Sequence, residues 1–148
     1  MNQFNQNVMI NRELINPQSI VVVGGSNNVH KPGGRLVRNL LDGKYKGELY
    51  VVNAKEDDVQ GLKSYHSVHD IPETELAIIS IPGPACPEAV DVLAKQKNVK
   101  AFIVISAGFG EETHEGAILE EQMLKSINEA GASLIGPNCI GLMNMHYH

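Results

Sequence analysis

The run Ile20-Val21-Val22-Val23 contains no polar residue and is halted at once by Gly24-Gly25. Four β-branched residues in succession favour a strand, and the lack of alternation predicts burial on both faces. A strand with no solvent face needs paired neighbours at its sides and helices above and below. That requirement points to a parallel sheet between helical layers.

The remaining pattern agrees. Val37, Leu40 and Leu41 recur at helical spacing before Gly43, a natural stop. Residues 49–52 read as a second strand and residues 76–81 as another, ended by Pro82-Gly83-Pro84. Pro87 suits the first turn of a helix whose buried stripe is Ala89, Val90, Leu93 and Ala94. Residues 101–105 are strand-like, and Leu119, Met123, Ile127 and Ala130 mark one face of a long helix stopped by Gly131. Leu134-Ile135 is a short last strand. The stretch 55–75 is less periodic, with 65–68 as a short edge strand. This order predicts an α/β domain with a mostly parallel sheet and helices on both faces. The domain is expected over residues 16–145. Residues 1–15 form a loosely held lead-in that only Ile10, Leu14 and Ile15 could anchor, and 146–148 form a tail.

Composition excludes several classes. A chain of 148 residues with 43% hydrophobic and 20% charged residues can bury a full-sized core, and a net charge of -5 is too modest for general disorder. A pI near 5.6 argues against a nucleic-acid surface. No apolar run approaches the ~20 residues of a membrane helix, and the polar opening has no signal-peptide order. Cys86 and Cys139 make no disulfide framework, so a cytoplasmic location is expected. A polyanionic ligand would have to be met locally, by loops.

In such sheets ligands bind beyond the carboxyl ends of the strands. Here those ends read Gly24-Gly25-Ser26-Asn27-Asn28, Asn53-Ala54-Lys55, Pro82-Gly83-Pro84, Ser106-Ala107-Gly108 and Gly136-Pro137-Asn138. A tight turn would explain one glycine-rich loop. Five permissive ends on one edge point to a site, and free amides at a helix start suit phosphate. The dinucleotide fingerprint G-x-G-x-x-G is absent, since Gly24 and Gly25 are adjacent and the next glycines are Gly33 and Gly34. A dinucleotide site also wants a carboxylate after the second strand, where this chain has Asn53 with Lys55 beyond it. Lys31, Arg35 and Arg38 add positive charge near the first loop. Phosphorylated adenosine therefore fits better than NAD.

Four motifs in order, Ile20-Val21-Val22-Val23-Gly24-Gly25-Ser26, Val51-Val52-Asn53-Ala54-Lys55, Ile105-Ser106-Ala107-Gly108-Phe109-Gly110-Glu111 and Gly136-Pro137-Asn138-Cys139-Ile140-Gly141-Leu142, carry a resemblance. Together they resemble the N-terminal CoA-binding domain of NDP-forming acyl-CoA synthetases of the acetate–CoA ligase type, with the succinyl-CoA synthetase alpha subunit a more distant relative. The resemblance covers nearly everything after Leu14. It implies a Rossmann-like three-layer fold holding coenzyme A across the strand ends, with the remaining domains or subunits of an acyl-CoA synthetase as partners. Gly25 and Ser26 would lie under the CoA phosphates, with Gly24, Asn27 and Lys31 as further cofactor-binding residues. Lys55 would meet the adenosine end, Asn53 would belong to the same cofactor-binding set, and Pro82 would pack beside the cofactor. Ser106 and Ala107 would line the pantetheine path, Gly108 would also touch the cofactor, and Asn138 with Cys139 would open a helix aimed at the reaction centre. Two departures stand out: Asn53-Ala54-Lys55 replaces the usual Asn-Pro-Lys, and Gly25 stands where alanine is common. Gly25→Val is then expected to abolish CoA binding while leaving the fold mostly intact.

The resemblance implies no catalytic residue in this chain, because the family's phosphorylated histidine belongs to a following domain. His66 and His69 have metal-like spacing but no cluster to join, so they read as turn residues and no metal site is expected. His114 lies among Glu111, Glu112 and Glu115 at a helix start, where a solvated face is explanation enough. Cys139 reads as small packing near a ligand. The competing reading is a stand-alone regulatory module binding CoA or another nucleotide.

Overall fold

The computed structural model describes residues 10–110, 113–137 and 139. Glu111, Glu112, Asn138 and the 146–148 tail lie outside them. Among the described residues one sheet runs in the order β3-β4-β2-β1-β5-β6-β7. Its strands are β1 (Ser19–Val23), β2 (Glu48–Val52), β3 (Asp58–Val59), β4 (Leu62–Tyr65), β5 (Leu76–Ile79), β6 (Ala101–Val104) and β7 (Ser133–Ile135). All pairings are parallel except the β3–β4 hairpin. The helices are α1 (Arg12–Ile15), α2 (Pro32–Asp42), α3 (Cys86–Gln96) and α4 (His114–Glu129).

β1 is central, between β2 and β5, and its Val21 and Val22 are wholly buried on opposite faces. Val22 packs with Val37 of α2 and Leu14 of α1, whereas Val21 packs with Val90 and Leu93 of α3 and Ile127 of α4. Burying each valine contributes roughly 1.5–3 kcal/mol. The uninterrupted apolar run thus reflects helical layers on both sides, as its pattern predicts.

Several expectations are refined. Strand pairing ends at Ile79 and Val104, two residues and one residue short of the apolar runs. The 65–68 edge strand lies earlier, at Leu62–Tyr65; Val68 instead opens a 3-10 turn (Val68–Asp70) that Ser67 caps by accepting from His69 N–H. β3 and β4 are joined by Gln60 and Gly61, both with positive φ (52° and 88°), the two-residue turn that matches strand twist. The described part of the lead-in is docked rather than loose. Leu14 is buried, Asn11 caps α1 and donates to Lys100 O at 2.8 Å, and Arg12 pairs with Glu75 at 2.6 Å. Ile10 does not serve as an anchor, being 67% exposed.

Candidate functional site

Parallel pairing brings the carboxyl ends of β1, β2, β5, β6 and β7 to one edge. The connections reverse direction at β1, since β2 lies on one side of it and β5 on the other. That switch point is where an open sheet leaves a crevice. The first loop begins at Gly24, with φ 92° and its Cα so near β5 that a Cβ would lie 2.1 Å from Ser80 O. After the loop, α2 starts at Pro32 with no side chain capping its amino end. An uncapped start presents amide N–H groups to an anion.

A cleft of about 310 Å³ opens at the ends of β1 and β2. Its lining includes Gly24, Asn53, Ala54, Lys55 and His66, with Val23, Val52 and Ile81 as an apolar floor. Three residues singled out from sequence, Gly24, Asn53 and Lys55, therefore share one cavity. Ser26, Asn27, Lys31, Pro82, Ser106, Ala107 and Gly108 lie on neighbouring loops of the same edge without lining it. A second cleft of about 500 Å³ lies beside α2, lined by His30, Arg35, Ile105 and Cys139 among others.

Several polar side chains hold loops together. Asn53 donates from its amide to Gly25 O at 2.8 Å and accepts from the N–H groups of Lys55 and Glu56 at 2.9 and 3.0 Å. It ties the first loop to the one bearing Lys55. Asn27 donates to Asp58 O at 2.9 Å and accepts from Gln60 N–H at 2.7 Å. Ser106 donates to Ile81 O and accepts from Ile81 N–H, joining the ends of β5 and β6. Lys55, by contrast, is exposed at the cleft. Lys31 is exposed at the position before α2 and lines neither cleft.

Gly25 needs a different explanation from the one its position suggests. A Cβ there would lie 2.4 Å from Val51 Cγ1 and 3.1 Å from Val37 Cγ2, so it would point into the core. Val51 and Val37 are wholly buried and cannot swing aside. Gly25→Val is therefore expected to disturb the fold itself, by about 3 kcal/mol at the upper end of overpacking effects. Thermal unfolding followed by circular dichroism checks this; an unchanged melting temperature would contradict the packing.

Two residues of this edge were not read as site residues from sequence: Gln60 was not singled out, and His66 was read as a turn residue. Gln60 donates from its side-chain amide to Ser26 O and Gly34 O, each at 2.8 Å, clasping the hairpin to the first loop and to α2. The Gln60-Gly61 pair between Val59 and Leu62 was the available signal for the turn. His66 lines the cleft, with Nδ1 3.0 Å from Ala54 O and Nε2 2.6 Å from Asp57 Oδ1. The hydrogen bond to Ala54 O and that to Asp57 raise its pKa above the usual histidine value. Cys139 packs at the edge of the core, its thiol 3.3 Å from Val104 O. No group of three or more His, Cys, Asp or Glu residues among the described residues could hold a metal. No described helix is long and apolar enough to cross a membrane.

A doubly covered parallel sheet with glycine loops, an uncapped helix start and a lysine at its switch-point edge defines a Rossmann-like domain for a phosphate-bearing cofactor. The chain belongs to the CoA binding domain family, which matches it over residues 18–145. Coenzyme A is thus the cofactor of this domain. The chain is 41% identical over 133 residues to the acetate–CoA ligase [ADP-forming] II subunit alpha of Pyrococcus furiosus, covering 88% of this chain and 28% of that one. It is 39% identical over 134 residues to acetate–CoA ligase [ADP-forming] II of Archaeoglobus fulgidus, covering 90% of this chain and 20% of the other. The solved apo structure of the dinucleotide-forming acetyl-coenzyme A synthetase 1 of Ca. Korarchaeum cryptofilum superposes with a TM-score of 0.78 at 36% identity, covering 86% of this chain and 27% of that one. The chain therefore spans about a quarter of the length of these relatives.

Proposed function

We propose that this chain is the CoA-holding part of an NDP-forming acyl-CoA synthetase and supplies no reacting side chain of its own. The observation that carries the reading is the convergence of Gly24, Asn53 and Lys55 on one cleft at the switch point. Lys55 is the cation for the 3′-phosphate on the ribose. The loop of Gly24, Gly25, Ser26 and Asn27 receives the diphosphate, with Lys31 adding charge from the helix start. Pro82 packs beside the cofactor, and Ser106, Ala107 and Gly108 border the pantetheine arm, which Asn138 would meet further on. Asn53 holds the two phosphate loops in register, with the amide contacts described above.

The ligase reaction joins an acid to the CoA thiol, and its phosphate relay needs a histidine free to attack. Both ring nitrogens of His66 are engaged, and His114 is exposed on the first turn of α4, away from the cleft lining. Holding a ligand supplies orientation, which accelerates nothing without a reacting partner. Further domains or subunits of the synthetase are the partners in this reading. A cytoplasmic setting suits a pool of CoA and the two free cysteines.

Calorimetry with CoA, dephospho-CoA and NAD, beside an assay of the chain with acetate, ATP and CoA, tests the proposal. CoA is expected to bind most tightly, with no thioester formed and no phosphohistidine on the chain. Tighter binding of NAD would overturn the cofactor assignment. Thioester formation by the chain alone would overturn its non-catalytic role.

A further inference from the structure

Lys55 stands on a connection that has little packing of its own. Ala54, Lys55, Glu56 and Asp57 are all exposed between β2 and β3. An exposed lysine recognises a phosphate well only if its backbone is held, because ordering a free loop opposes binding. Asn53 fastens the near end through the N–H groups of Lys55 and Glu56. The ring of His66 fastens the connection from the other side.

Parallel pairing sets His66 there. Val52 is in register with Tyr65, so His66 follows directly where β2 has passed into Asn53 and Ala54. Its ring spans from Ala54 O, at 3.0 Å, to Asp57 Oδ1, at 2.6 Å. A carbonyl and a carboxylate only accept, so both ring nitrogens must donate. Neutral imidazole carries a single N–H and can hold one of these partners at a time. Lys55 and His66 line the same cleft.

We propose that His66 is a positioning residue for recognition of the 3′-phosphate of CoA, presenting Lys55 by bridging Ala54 and Asp57 as a doubly donating imidazolium. This rests on the assignment of the cleft to the phosphorylated adenosine end of CoA. The charged groups that act on the ring are Asp57 on the connection and Asp70 on the 3-10 turn after β4, while Lys55 lines the same cleft. The two carboxylates favour the charged ring, in the same direction as the raised pKa. Because that pKa is raised, the bridge is complete on the acid side and is lost as pH rises through it. Loss of the proton also removes a positive charge from the cleft. Preference for CoA over dephospho-CoA therefore weakens with rising pH.

The phosphate's own second ionisation, with pKa near 6, is nearly complete above pH 7. The decisive measurement is the ratio of dephospho-CoA to CoA dissociation constants across the titration of the His66 ring, which proton NMR locates, for wild type, His66→Gln and Asp57→Asn. In the wild type the ratio is expected to fall severalfold over that titration. In His66→Gln it should be low and flat. In Asp57→Asn, a change at a side chain 94% exposed and so harmless to the fold, the fall should shift to lower pH. A wild-type ratio independent of pH, or a wild-type profile in His66→Gln, overturns the role of His66 while leaving CoA binding intact. Failure of the wild type to prefer CoA at any pH overturns the cleft assignment and, with it, the proposal.

Discussion

Gly33→Ala is expected to destabilise the protein by about 2 kcal/mol and to weaken CoA binding in the same step. In an exposed helix interior, alanine gains about 1 kcal/mol over glycine from backbone propensity. Here that gain is opposed by a contact that cannot yield. A Cβ on Gly33 would lie 1.9 Å from Gly24 O and 2.9 Å from Gly24 C. Both are backbone atoms of the first loop, which is itself pinned by Gly24 N–H donating to Val52 O at 2.9 Å. Relief requires the start of α2 to move away from the loop by about 1 Å, at the roughly 3 kcal/mol upper end of overpacking. Overpacking wins, and the melting temperature should fall by about 4–8 °C for a domain of this size. The displaced parts are the loop and helix start proposed to receive the CoA diphosphate, so affinity should drop as well. A Gly33→Ala protein with unchanged melting temperature and CoA affinity would contradict this close approach.

Lys55→Ala is expected to remove most of the preference for CoA over dephospho-CoA. A charge-assisted hydrogen bond contributes about 1.5–3 kcal/mol when shielded. Lys55 is exposed, so solvent and salt screen it and bring the contribution below that range. About 1 kcal/mol corresponds to a roughly fivefold loss of CoA affinity. Dephospho-CoA, lacking the 3′-phosphate, should bind the variant and the wild type alike. The wild-type preference should also shrink as salt is raised. Equal losses for both ligands would mean that Lys55 acts elsewhere than on that phosphate.

The cleft illustrates why some of the site was legible and some was not. Gly24 and Lys55 were readable because each sits directly after an unmistakable strand, and parallel pairing carries all such ends to one edge. The roles of Gln60 and His66 were hidden because β3 and β4 are short and half exposed; only Val59 and Ser64 in them are buried. With so few apolar positions, the 55–75 stretch has no period to read. Its place is set instead by the hydrogen bonds of Asn27 and Gln60 to the hairpin and first loop, and such partners cannot be deduced from spacing. Gly25 is the opposite case: its identity was noticed, but the reason lies in Val51 and Val37 behind it.

By itself the sequence determined the layered sheet, because burial on both faces writes continuous apolar runs at residues 20–23, 76–79 and 101–104, and it determined which loops share the ligand edge. Only the tertiary structure decided how those loops are braced. Asn53 reaches 28 residues back to Gly25, and Gln60 reaches 26 and 34 residues back to Gly34 and Ser26. Hydrophobic burial is non-directional and leaves a periodic record in the chain. A long-range hydrogen bond depends on the geometry of two distant atoms and leaves none.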